Sequence, residues 1–147
     1  MPSDTQTASV SKKSLWAGRI MSGLVIAFLA FDVVIKFVTP APAPVLEAFA
    51  HLGWSPSLAP VLGIILLVST ALYVIPKTSV LGAILLTGYL GGAIATHLRV
   101  GDPLFSHVLF PTYLGVLLWG GLYLRDERLH TLIPLAKSEG AMSKRNR

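Results

Sequence analysis

Four apolar stretches, each long enough to cross a bilayer, constrain this chain more than any motif does. They run over about 15–38, 58–75, 80–98 and 104–124. About 20 residues at about 1.5 Å rise each span the hydrocarbon core. Such stretches must be helical, because lipid offers no partner to backbone N–H and C=O groups. Composition points the same way. Of the 147 residues, 53% are hydrophobic and 13% charged, against about 25% charged in soluble domains. A soluble chain of this length has too little interior for so much apolar surface.

The breaks between the stretches set the topology. Thr39-Pro-Ala-Pro-Ala-Pro44 cannot continue a helix. Pro76-Lys77 makes a tight turn, and Thr78 or Ser79 can cap the helix that follows. Arg99-Val-Gly-Asp-Pro103 makes another, with Asp102 as N-cap and Pro103 as first helical residue of the last span. Short connections make successive helices antiparallel neighbours. The expected fold is therefore all-α, an up-down-up-down four-helix membrane bundle over 15–134. A polar tail at 1–14 and a basic tail at 135–147 flank it. In the 39–57 loop, Val45, Leu46, Phe49 and Leu52 predict a short amphipathic helix lying at the membrane surface.

Lysine and arginine placement orients the bundle. Of the 12 such residues, all but Lys36 and Arg99 fall in the two tails, at the inner end of the first span (Arg19), just after the last span (Arg125, Arg128) or in the Lys77 turn. The positive-inside rule then puts both termini in the cytoplasm, and the same charges need no nucleic-acid partner to explain them. Lys12-Lys13 before an apolar run also resembles a signal peptide, but the prolines at 42 and 44 spoil the small-residue cleavage site.

Ionisable residues inside a span are expensive and therefore informative. Asp32 lies about 9 Å from the end of its span and Lys36 one turn later, an i,i+4 ion pair with Lys36 reaching outward. Tyr89, Ala93 and His97 share one helix face. His107 lies at a depth similar to that of His97, and Pro111 deprives the His107 carbonyl of its helical partner. Glu47 and His51 form a second i,i+4 pair in the loop. With Arg99 and Asp102, these residues gather in the outer half, leaving Arg19 as the inner half's ionisable group. That asymmetry predicts an outward-facing polar pocket rather than a polar path through the membrane, which disfavours a small-solute transporter. Gly88, Gly92 and Thr96 form a small-residue stripe suited to close helix packing within the chain or to a homodimer seam.

The pocket's chemistry favours a quinone or similar small amphiphile, whose carbonyls want donors such as His97 and Arg99 and whose ring wants apolar walls, with Tyr89 and His107 lining the pocket and Asp32 and Lys36 as its buried charge pair. There are no cysteines, which excludes thiol–disulfide exchange and Cys-held iron–sulfur clusters. His97 and His107 sit too close in sequence to flank a haem plane, and no HExxH-type spacing supports a metal.

Several segments carry a family resemblance. They are Gly23-Leu through Asp32 and Lys36, Leu72-Tyr-Val-Ile-Pro-Lys through Gly91-Gly-Ala93, Ala95-Thr-His-Leu-Arg-Val-Gly101, and Trp119-Gly-Gly-Leu-Tyr-Leu-Arg-Asp126. Across about 19–134 the chain resembles the DoxX-like family of small four-helix bacterial membrane proteins, with Asp32, Lys36, Tyr73, Pro76, His97 and Arg99 at characteristic positions. The resemblance implies a multi-pass inner-membrane protein. It further implies an accessory subunit of a quinone-linked redox or oxidative-stress complex. A non-catalytic membrane scaffold is the rival expectation, since the chain carries no cofactor motif of its own.

Overall fold

The computed structural model describes residues 11–132; the expected tails beyond them lie outside the described residues. Helix α1 spans Lys12–Phe37. It starts three residues before the expected Leu15, because the Ser11 hydroxyl accepts a hydrogen bond from the Ser14 N–H and caps the first turn. Gly18, Ser22, Val25, Leu29 and Val33 are buried along it. These three- and four-residue steps mark the inward face, while Trp16, Ile20, Leu24, Phe31 and Val34 stay exposed. A helix apolar on both faces suits a protein-facing side and a lipid-facing side.

The Thr39–Pro40 peptide bond is cis. Helix α2 follows over Ala43–His51, entered through Pro42. Its Val45 and Phe49 are buried against Ala59, with Ile35 and Leu62 alongside. Leu46, expected on that apolar side, is exposed, so the buried stripe is narrower than the sequence predicts. A 3-10 turn at Pro56–Leu58 leads into α3, Ala59–Val74. Helix α4 is Ser79–Arg99.

The fourth span is not one continuous α-helix. Leu104–Val108 is a π turn, and α5 runs Phe110–Arg125. Pro111 has no N–H to give the His107 carbonyl. The chain shifts to wider bonds just before it, Val108 N–H to the Pro103 carbonyl at 3.3 Å and Leu109 N–H to that of Leu104 at 2.8 Å. Asp102 is thereby released from the expected N-cap role. A final short helix, α6, covers Glu127–Leu132.

Four helical segments are long and apolar enough to cross a membrane, by length and composition. They pack in a ring: α1 lies against α3 and α5, and α4 against the same two. Val25, Leu66, Tyr73, Leu86, Leu118 and Leu122 fill the middle of the ring and are almost fully buried. The Tyr73 hydroxyl donates to the Leu118 carbonyl at 2.9 Å. With its proton so used, it accepts from the Ser22 hydroxyl 3.0 Å away. Three helices are thus tied at one buried point.

Close approach depends on Gly82 and Gly121. A Cβ on Gly82 would stand 2.2 Å from the Tyr73 amide nitrogen, and one on Gly121 would stand 2.6 Å from the Ser22 hydroxyl. The Gly88, Gly92 and Thr96 stripe does not provide the close packing within the chain that was one expectation for it. A Cβ on Gly88 or Gly92 would meet nothing within 4 Å, so these glycines do not bring helices of this chain together. They border a void.

Candidate functional site

That void lies beneath α2, at the end of the bundle opposite the start of α1 and the end of α5. It is a cavity of about 600 Å³, open on one side. Phe28, Phe49, Trp54 and Phe110 supply aromatic wall; Phe28 and Phe110 meet edge to face at 5.3 Å between ring centres. Gly88 and Gly92 contribute bare backbone, so α4 presents a shallow surface where side chains would otherwise stand.

Four of the polar residues expected here do reach the cavity: Asp32, Lys36, Tyr89 and His97. Lys36 does not extend toward water. It folds back so that Nζ lies 2.5 Å from Asp32 Oδ1, and its side chain is 11% exposed against 31% for that of Asp32. An opposite charge at hydrogen-bond distance is what makes two ions tolerable in such a place. Tyr89 sits beside them, its hydroxyl engaged by no described residue. Thr96 turns its hydroxyl back to the Gly92 carbonyl at 2.8 Å, the usual way a helical threonine satisfies itself.

The other expected residues are placed elsewhere. Arg99 reaches across to α2 and donates to the Leu52 carbonyl, closing the last turn of that helix. His107 lies outside the cavity lining. Its ring tilts against that of His97 with centres 5.8 Å apart, and Nδ1 bonds the Ser106 hydroxyl at 2.8 Å. Glu47 is exposed and does not pair with His51. His51 instead places Nε2 2.7 Å from Asp102 Oδ1, while His97 places Nδ1 2.6 Å from Asp102 Oδ2. One carboxylate therefore joins α2 to the cavity wall. These two hydrogen bonds, that of His97 first, hold the Asp102 carboxyl below the usual carboxylate range.

Sequence reasoning missed Asp102 as the hub because residues 51 and 102 meet only in the fold. The π turn that frees it was signalled by Pro111. The aromatic walls had no local signal beyond their apolar character. Polar groups also occur at the opposite end, where Arg19, Arg125, Asp126 and Arg128 gather with Ser79 around a smaller cavity. That end of the bundle is thus less bare of ionisable groups than the sequence suggested. Among the described residues, no group of three or more His, Cys, Asp or Glu is arranged to hold a metal ion.

A ring of four apolar helices, closed in the middle and hollow beneath a short surface helix, defines a multi-pass membrane protein. Residues 20–121, more than half of the chain, match the sequence profile of the DoxX-like family. The chain belongs to that family. No curated protein and no solved structure matches it significantly.

Proposed function

We propose that the cavity beneath α2 binds a quinone or a similar small amphiphile, and that the protein serves as an accessory subunit of a membrane redox or oxidative-stress complex. The supporting observation is the meeting of Asp32, Lys36, Tyr89 and His97 in one aromatic-walled space. A flat ring fits against the bare backbone of Gly88 and Gly92. Its carbonyls can accept from Tyr89 or Lys36, while His97, whose Nδ1 is engaged by Asp102, can accept from a hydroxyl of the reduced form. In this reading both termini are cytoplasmic and the cavity opens on the other side of the bacterial inner membrane, in keeping with the lysine and arginine bias. Any electrons belong to the ligand or to partner subunits, because the chain has no cysteine and no cofactor motif.

Trp54 lines the cavity and serves as an internal reporter. A short-chain quinone analogue added to the purified full chain quenches its fluorescence saturably, and Trp54→Phe removes that component. Loss of one hydrogen bond from Tyr89→Phe weakens binding about tenfold. Gly88→Leu, which fills the void, abolishes it. Unchanged affinity in both of these variants would reject the assignment. Native mass spectrometry of the gently extracted complex tests the accessory role separately, by the presence or absence of a stoichiometric redox partner.

A further inference from the structure

The end of the bundle opposite α2 holds a cavity of about 400 Å³, lined by Arg19, Arg125 and Arg128 together with Ser79 and Asp126. Three guanidinium groups face one carboxylate there. Arg128 and Asp126 satisfy one another, with Nε 3.0 Å from Oδ1 and Nη2 2.7 Å from Oδ2. The Asp126 charge is therefore already matched, and two cations remain.

Neither of those forms an ion pair with a described residue, although the Asp126 carboxylate also attracts Arg125 at longer range. The Arg125 guanidinium lies 5.1 Å from the centre of the Tyr73 ring, and one Nη reaches the Tyr73 carbonyl at 3.4 Å. Its Nε is buried and has no hydrogen-bond partner among the described residues. A buried donor left without an acceptor is unfavourable, and guanidinium suits phosphate oxygens better than any other side chain. Arg19 makes no hydrogen bond or ion pair to a described residue. Helix α4 begins at Ser79, so the positive end of a 21-residue helix borders the same space.

We propose that this cavity binds a phosphate group, with Arg19 and Arg125 as its donors. The surroundings match the level of lipid head groups. Trp16, one turn before Arg19, is 64% exposed on the lipid-facing side of α1, the position aromatic residues favour at a membrane interface. An anionic phospholipid and free phosphate share this chemistry, and they are separated by experiment. The site is independent of the quinone reading, lying at the far end of the bundle.

The test uses the purified full chain in mild detergent, titrated with phosphatidylglycerol or phosphatidylcholine and followed by native mass spectrometry. Thermal unfolding with inorganic phosphate runs in parallel. Phosphatidylglycerol retained over phosphatidylcholine supports the site with lipid as the source. Stabilisation by inorganic phosphate without lipid selectivity supports it with free anion as the source. In either case Arg19→Gln weakens binding about tenfold, as expected for a charge-assisted hydrogen bond. Lys77→Gln, which removes the same charge from the same end outside the cavity, leaves binding intact. Arg125 packs on Tyr73, so Arg125→Lys is the informative change there; it keeps the charge, loses the Nε donor and also weakens binding. No response to either ligand, or equal losses in Arg19→Gln and Lys77→Gln, overturns the proposal.

Discussion

Lys36 closes on Asp32 from one helical turn away, Nζ to Oδ1 at 2.5 Å, within an apolar-walled cavity. Removing one partner strands the other charge. Asp32→Asn is therefore expected to destabilise the protein by about 2 kcal/mol, below the range for fully buried pairs because Asp32 retains some access to water. Asp32→Asn combined with Lys36→Met leaves no ion unpaired and recovers at least half of that loss. Unfolding in mixed micelles measures both. A single variant as stable as the parent would show that the pair does not support the fold.

The Asp102 bridge gives α2 an acid-sensitive attachment. Its carboxyl is held below the ordinary range by hydrogen bonds from His97 and His51. The stabilisation from this group is fully present above its unfolded-state value of about 3.9, and it fades as pH falls through the lower folded value. Hydrogen exchange corrected for intrinsic rates is expected to show protection at residues 43–52 that holds near neutrality and declines below about pH 4. In Asp102→Asn, α2 exchanges several-fold faster at neutral pH. Identical protection in the variant would place the anchor of α2 elsewhere.

Two glycines on α4 should respond in opposite ways. Gly82→Ala drives a methyl into the Tyr73 backbone, which cannot move aside, and is expected to cost about 3 kcal/mol or prevent folding. Gly88→Ala places its methyl in open space and gains up to about 1 kcal/mol of helix propensity. Thermal denaturation of the pair decides the matter. Equal destabilisation would mean that α4 packs closely along its whole length.

Tyr73→Phe removes one hydroxyl and two hydrogen bonds, to Leu118 and Ser22. The expected loss is about 1–2 kcal/mol. Ser22→Ala added to Tyr73→Phe should cost little more, because the serine hydroxyl then has no partner to lose. Strict additivity of the two changes would refute the shared network.

The membrane spans were legible because lipid leaves the backbone few choices: an apolar run of sufficient length must be helical. Helix α3 ends two residues before Pro76, and α4 starts three residues after it and ends at Arg99. The start of α1 shifted because Ser11 caps earlier, and the last span divided because Pro111 lacks an N–H. The polar partners were less legible. Helical spacing offered Glu47 to His51, yet the fold offered Asp102, more than 50 positions away in order of the chain, and took it. Small-residue spacing likewise identified Gly88 and Gly92 without distinguishing close packing from an empty space. The glycines that do bring helices together, Gly82 and Gly121, are set by contacts between segments distant in sequence.

The buried middle of the ring has a thermodynamic consequence. Tyr73, Leu86, Leu118 and Leu122 fill the space between the two end cavities, so a ligand in one cannot reach the other without displacing close-packed side chains. Occupancy at one end is therefore set separately from occupancy at the other.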